Sequence, residues 1–218
     1  RSHLHAQSAQ AMNELFLFGK SVLLGLAIAA PLGPIGALCI SRTLERGFLA
    51  GVAGGLGTAI ADASYAALAA LGFAAFAAIL SQIDVPLRLI GGAFLLWLGW
   101  KSFAPRPLPS AARISPTDLL GTVATTFALT ITNPMTILSF AAIFAGLGLA
   151  TETDLVGKLI VVAGVFVGSL LWWIILSGGV AFLRHRLPEG FATWIARASG
   201  VVLIGFGLAA IGSLLLPR

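Results

Sequence analysis

One carboxylate, Asp62, stands well inside an apolar stretch, fourteen residues after Phe48. At 1.5 Å of rise per residue, that is roughly 21 Å along a helix. An acid at such depth in a bilayer is costly, and by default it marks an ion, proton or substrate pathway. The plainer reading is a protonated acid bonded to a neighbouring helix. Two interruptions accompany it. Ala30-Pro31-Leu32-Gly33-Pro34-Ile35-Gly36 breaks the first apolar stretch, and about a hundred residues later Thr132-Asn133-Pro134-Met135-Thr136 breaks another. Proline removes a backbone donor and clashes with the preceding turn, so a helix should stop there. Inside a membrane a break is tolerated only where protein buries it or a wet cavity meets it.

After each break, Pro31 or Pro34 and Pro134 suit the first position of a new half-helix. The amides of Ile35 and Gly36, and of Met135 and Thr136, then carry the positive end of a helix dipole, a seat for a carboxylate. Asn133 adds a side-chain amide able to orient a ligand. A kink needed only for packing explains one such break; two at matched depths point to a transporter site.

Around Asp62, Gly51, Gly55, Thr58 and Tyr65 recur at three- and four-residue spacing and form one small, polar stripe. Close packing alone explains the glycines. Gly164, Gly168 and Trp172 form a corresponding stripe, with Trp172 or Trp173 as a pocket wall or a plain lipid contact. Other chemistry is poorly supplied. Cys39 is the sole cysteine, which removes an internal disulfide and makes a thiolate metal cage untenable. Ser177-Gly178-Gly179 and His185 could suggest a serine hydrolase, but His185 lies between two arginines and reads as a solvated loop residue. No phosphate-binding glycine loop ends in Lys-Ser/Thr. The sequence therefore predicts no enzyme, no cofactor and no resident metal.

These residues need a membrane scaffold. The 218-residue chain is 58% hydrophobic and 10% charged, with a mean hydropathy of +1.01. That excludes an ordinary soluble domain. The net charge of +5 suggests no nucleic acid, because the basic residues lie in short loops beside apolar runs. Six spans are predicted: Leu15–Ile40, Phe48–Leu80, Leu87–Phe103, Leu119–Leu149, Leu155–Leu183 and Phe191–Leu216. Arg42, Arg46, Lys101, Arg106, Arg113, Arg184 and Arg186 occupy alternate connections, opposite Asp84, Glu152 and Asp154. Basic loops stay in the cytoplasm, so both termini are expected outside. Asp118 sits at a helix start, where Ser115 and Thr117 offer caps.

The proline-rich linker 105–114 separates two three-span halves, 12–104 and 115–218. An odd number of spans per half inverts the second half, giving two inverted repeats with helices 1 and 4 broken. Residues 1–11, before Met12-Asn13-Glu14-Leu15, read as an added remnant or a disordered tail. Residues 12–218 then form a single all-α transmembrane domain.

From Met12 onward the chain resembles the LysE/RhtB family of amino-acid exporters. The matching elements are Pro31-Leu32-Gly33-Pro34, Arg42 with Gly47-Phe48 and Gly51, and Gly54-Gly55-Leu56-Gly57 leading to Asp62-Ala63-Ser64-Tyr65. Leu89-Ile90-Gly91-Gly92-Ala93-Phe94-Leu95-Leu96-Trp97-Leu98-Gly99 and Thr132-Asn133-Pro134 also match. The resemblance implies a bacterial inner-membrane exporter with a broken-helix site, driven by the proton gradient, and a homodimer. It departs at Met135, where many relatives carry lysine. The expected function is efflux of a small amino acid or derivative by alternating access, with Asp62 binding the ammonium or exchanging a proton. Two alternatives stand beside it: an inorganic cation exporter using Asp62 as ligand, or a membrane scaffold that transports nothing.

Overall fold

The computed structural model describes residues 2–30, 33–103, 115–133, 136, 140, 155–183 and 191–215. Among these there are six helices and no strand: α1 (Ser2–Ala29), α2 (Pro34–Arg46), α3 (Phe48–Lys101), α4 (Pro116–Ile131), α5 (Leu155–Leu183) and α6 (Phe191–Gly212). Among the described residues two stretches, Gln7–Ala29 and Leu155–Leu183, are long and apolar enough to cross a bilayer. Helix α1 runs back to Ser2, so the segment expected as a remnant or tail continues that helix, with Gln7 to Ala11 exposed.

The burial pattern departs from that of a soluble protein. Ser21, Thr58, Asp62, Thr126, Thr130, Ser169 and Ser177 are buried, while Leu15, Phe16, Leu23, Ile90, Leu159, Val201 and Leu208 are exposed. Water would penalise that arrangement; a lipid surround does not. Several buried hydroxyls donate back to their own helix, as in Thr43 Oγ1 to the Cys39 carbonyl at 2.8 Å and Ser102 Oγ to Leu98 at 2.9 Å.

Both expected breaks occur where their helices end. Helix α1 stops at Ala29, Gly33 is extended, and Pro34 opens α2. Helix α4 stops at Ile131 with Thr132 as its cap. Its start is a capping box: Ser115 and Asp118 bond each other's amides. Ser115, through its side chain first and then its amide, holds the Asp118 carboxyl below the ordinary carboxylate range.

Helix α3 carries the second and third expected spans in one element, helical without interruption from Phe48 to Lys101 through Pro86. It cannot be straight. A β-carbon added at Gly54 would stand 2.9 Å from Cys39 Sγ, and Leu98 packs in the same cluster as Cys39. A straight helix would put residues 54 and 98 roughly 66 Å apart. The chain therefore doubles back, and α3 provides two arms, 48–70 and 85–101.

In three of the helix pairings among the described residues, glycines set how closely the helices approach. On α1 and α5, Gly164 lies against Phe18 and Ser21, and Gly168 against Val22 and Leu26, so the two helices run parallel. The first arm of α3 and α4 also run parallel, since Gly54 meets Thr122 and Thr126 while Gly57 meets Val123 and Phe127. The second arm and α6 are antiparallel: Gly92 opposes Gly207, Gly99 opposes Gly200, and Arg88 Nη1 reaches Ser213 Oγ at 2.9 Å. At these crossings an added β-carbon would meet backbone atoms, which is why small residues stand there.

One residue, Gly47, joins α2 to α3. Its φ of 89° lies in the left-handed region, where a side chain would be strained, and its amide donates to Thr43 at 2.8 Å.

Candidate functional site

A cavity of about 260 Å³ lies where the first break, the first arm of α3 and the end of α4 converge. From the first break it takes Gly33, Pro34, Ile35 and Gly36; from α3, Thr58 and Asp62; from the second break, Asn133 and Thr136. Seven of the residues expected at the site thus share one space. Pro31, Pro134 and Met135 lie outside the described residues.

Each wall follows from local sequence. Gly33 caps α2 without a side chain, so the cap offers no oxygen to the first turn's amides. Pro34 carries no N–H, which leaves Ile35 and Gly36 as the first donors of that helix. On α3, Gly51, Gly55, Thr58, Asp62 and Tyr65 are all buried, as their spacing predicts. Gly51 accommodates Thr43 and Ser177, and Gly55 accommodates Trp173.

Asp62 is 1% exposed. Ser169 Oγ, from α5, donates to its Oδ2 at 2.6 Å. This hydroxyl escaped the sequence reading, although it follows Gly168 directly on the packed face of α5. Thr130, also unforeseen, donates to Thr58 Oγ1 at 3.4 Å and to the Thr126 carbonyl at 2.8 Å.

Two residues stand elsewhere than expected. Tyr65 does not line the cavity. It is buried against Phe140, with ring centroids 5.5 Å apart, and its hydroxyl donates to the Ile131 carbonyl. That carbonyl belongs to the last turn of α4, where intrahelical donors run out; Tyr65 therefore secures the broken end. Trp173 lines the cavity, whereas its neighbour Trp172 is half-buried against the adjoining apolar cluster. The indole N–H groups of both, and Ser177 Oγ, are buried without a hydrogen-bond partner among the described residues. Ile28, Ala29 and Phe206 complete an apolar side.

The cavity is small beside the roughly 300–1,000 Å³ of sites for drug-sized ligands. It offers helix-start donors, an amide, one acid and an apolar wall. Among the described residues no group of three His, Cys, Asp or Glu side chains is placed to hold a metal.

Residues 26–213 match the family model of the LysE type translocators. The chain is 31% identical over 176 residues to the membrane protein YahN of Escherichia coli (strain K12), covering 79% of this chain and 78% of that protein. It is 26% identical over 195 residues to the Bacillus subtilis (strain 168) protein named "Putative amino acid efflux protein YcgF", covering 88% and 93%. It is 28% identical over 203 residues to the chemotactic transduction protein ChpE of Pseudomonas aeruginosa, covering 91% and 99%. No solved structure matches the chain.

Proposed function

The chain belongs to the family of LysE type translocators, and from that premise we propose that it is a secondary exporter of a small amino acid across the bacterial inner membrane, coupled to protons. One observation carries the reading: the cavity joins a glycine-capped helix start to a buried acid. A zwitterion needs both. Its carboxylate would sit on the amides of Ile35 and Gly36, where the dipole of α2 favours negative charge. Asn133 would hold its orientation, and the indole N–H of Trp173, without a partner among the described residues, would gain an acceptor. Its ammonium would face Asp62, and Ile28 and Phe206 would receive a neutral side chain.

Asp62 is also the proposed proton carrier. Burial makes its unpaired charge costly, so binding an ammonium and binding a proton compete for the same oxygen atoms. Export would then proceed by alternating access, the acid meeting protons from outside after the substrate leaves.

The pairings of helices support an inverted repeat. Exchanging the halves maps the parallel pair of α1 and α5 onto the parallel pair of α4 and the first arm of α3. The same operation maps the antiparallel pair, the second arm and α6, onto itself. A homodimer remains part of the proposal through the family resemblance alone.

Efflux from proteoliposomes loaded with individual amino acids, with and without a proton gradient, tests the reading. Gradient-dependent release of at least one small amino acid is expected. Release of divalent cations in its place, or of nothing across the panel, overturns it.

A further inference from the structure

A second cavity, of about 290 Å³, lies between α2 and the end of the second arm of α3. Its polar lining includes Arg42, Glu45 and Arg46 from α2 and Lys101 from α3, three cations against one acid. Arg42 Nη1 donates to the Thr122 carbonyl at 3.3 Å, and Glu45 Oε1 accepts from Ser41 Oγ at 2.8 Å. The positive balance thus rests most openly on Lys101 and on Arg46, both exposed, with Asp118 within electrostatic reach of Arg46.

Trp97 and Lys101 also line a neighbouring apolar groove with Trp100 and Phe103. Lys101 Nζ lies 4.8 Å above the Trp97 ring, between the two spaces. Trp97 is 54% exposed and Trp100 78% exposed. Tryptophan beside lysine is the residue pairing of a membrane interface, with rings at the headgroup level. A basic pocket and an apolar groove that share a wall have one natural occupant, an amphiphile with an anionic head.

We propose that this paired surface binds an anionic phospholipid, its phosphodiester between Arg46 and Lys101 and its acyl chain along Trp97, Trp100 and Phe103. A free phosphate matches the pocket but has no use for the groove, and a zwitterionic lipid matches the groove but adds a cation to a pocket already rich in them. The site is separate from the export cavity, since the two share no lining residue. Its bound lipid would brace α2 against the second arm of α3.

The test uses the delipidated, detergent-solubilised full chain, titrated with short-chain phosphatidylglycerol, phosphatidylcholine or inorganic phosphate while thermal unfolding is followed. Saturable stabilisation by phosphatidylglycerol alone is expected. Arg46→Gln with Lys101→Gln should weaken its half-saturation roughly 25-fold, at about fivefold for each cation. The charge-keeping exchange Arg46→Lys with Lys101→Arg should retain it. Lys20→Gln, whose lysine lies over Phe16 on another helix, should leave it unchanged. Equal stabilisation by both lipids, an equal response to inorganic phosphate, or an unaltered response in the double glutamine variant overturns the proposal. The comparison of headgroups on the unaltered chain decides the matter even if that variant does not fold.

Discussion

The two parallel helix pairs solve the same packing problem with different chemistry. Between α1 and α5, Gly25, Gly164 and Gly168 let one backbone lie directly on the other. The first arm of α3 and α4 also close on a glycine, Gly57, but they add side-chain bonds across the pair, Thr130 to Thr58 and Tyr65 to Ile131. The first pair is a seam of backbone contact. The second carries the polar groups that face the cavity. The second pair thus gathers most of the polar contacts around the cavity, while the first frames the bundle and adds one hydroxyl, Ser169, to the acid.

The comparison breaks hardest at the frame. Gly168→Leu would drive a side chain into the backbone of Val22 and Leu26; overpacking costs about 1–3 kcal/mol even where neighbours can yield, and backbone yields least. Folded yield in detergent should collapse, and a normal yield would show that the seam is looser than its contacts indicate. Asp62→Asn should do the reverse. Ser169 still finds an acceptor in the amide oxygen, so the thermal transition should stay within a few degrees while gradient-linked efflux disappears. Undiminished, proton-coupled efflux in that variant would sink the assignment of Asp62.

Tyr65→Phe is expected to fall between these. It strips the Ile131 carbonyl of its donor, at about 1 kcal/mol, and should slow transport without abolishing it, as the end of α4 loosens beside Asn133. A variant as stable and as fast as the parent would show that the hydroxyl does not secure the break. Thr58→Val should matter least for stability, about 0.6 kcal/mol, typical of one polar contact between membrane helices. A loss several times larger, measured by thermal unfolding, would mean that the threonine contact holds the pair together.

The parts of this arrangement legible in the sequence were those with a local cause. Pro34 after Gly33 suits the start of a new helix, and Asp62 is conspicuous because nothing near it shares its charge. Ser115 and Asp118 announce a cap through their spacing alone. Other parts depend on what lies across the bundle. Trp172 and Trp173 are equivalent in an apolar segment, and only the rotation of α5 decides which reaches the cavity. Ile28, Thr130 and Phe206 join the site from three helices, with no residue type to single them out. Tyr65 belonged to the correct stripe, yet its hydroxyl lies beyond the cavity, on a carbonyl that became available only because α4 stops. The doubling of α3 was foreseen as two spans but not as continuous helix, since Pro86 and Asp84 look like a loop in sequence.

Helix α2 is held unequally at its two ends. Above, it begins at a break; below, Gly47 alone joins it to α3, with no slack to absorb a displacement. A lever fixed so closely at one end can swing only about that end. Any tilt of α2 would therefore sweep Ile35 and Gly36 through the largest arc, while Thr43, bonded to Gly47, barely moves. The one-residue joint at Gly47 and the helix start that faces the cavity are opposite ends of one thirteen-residue rod.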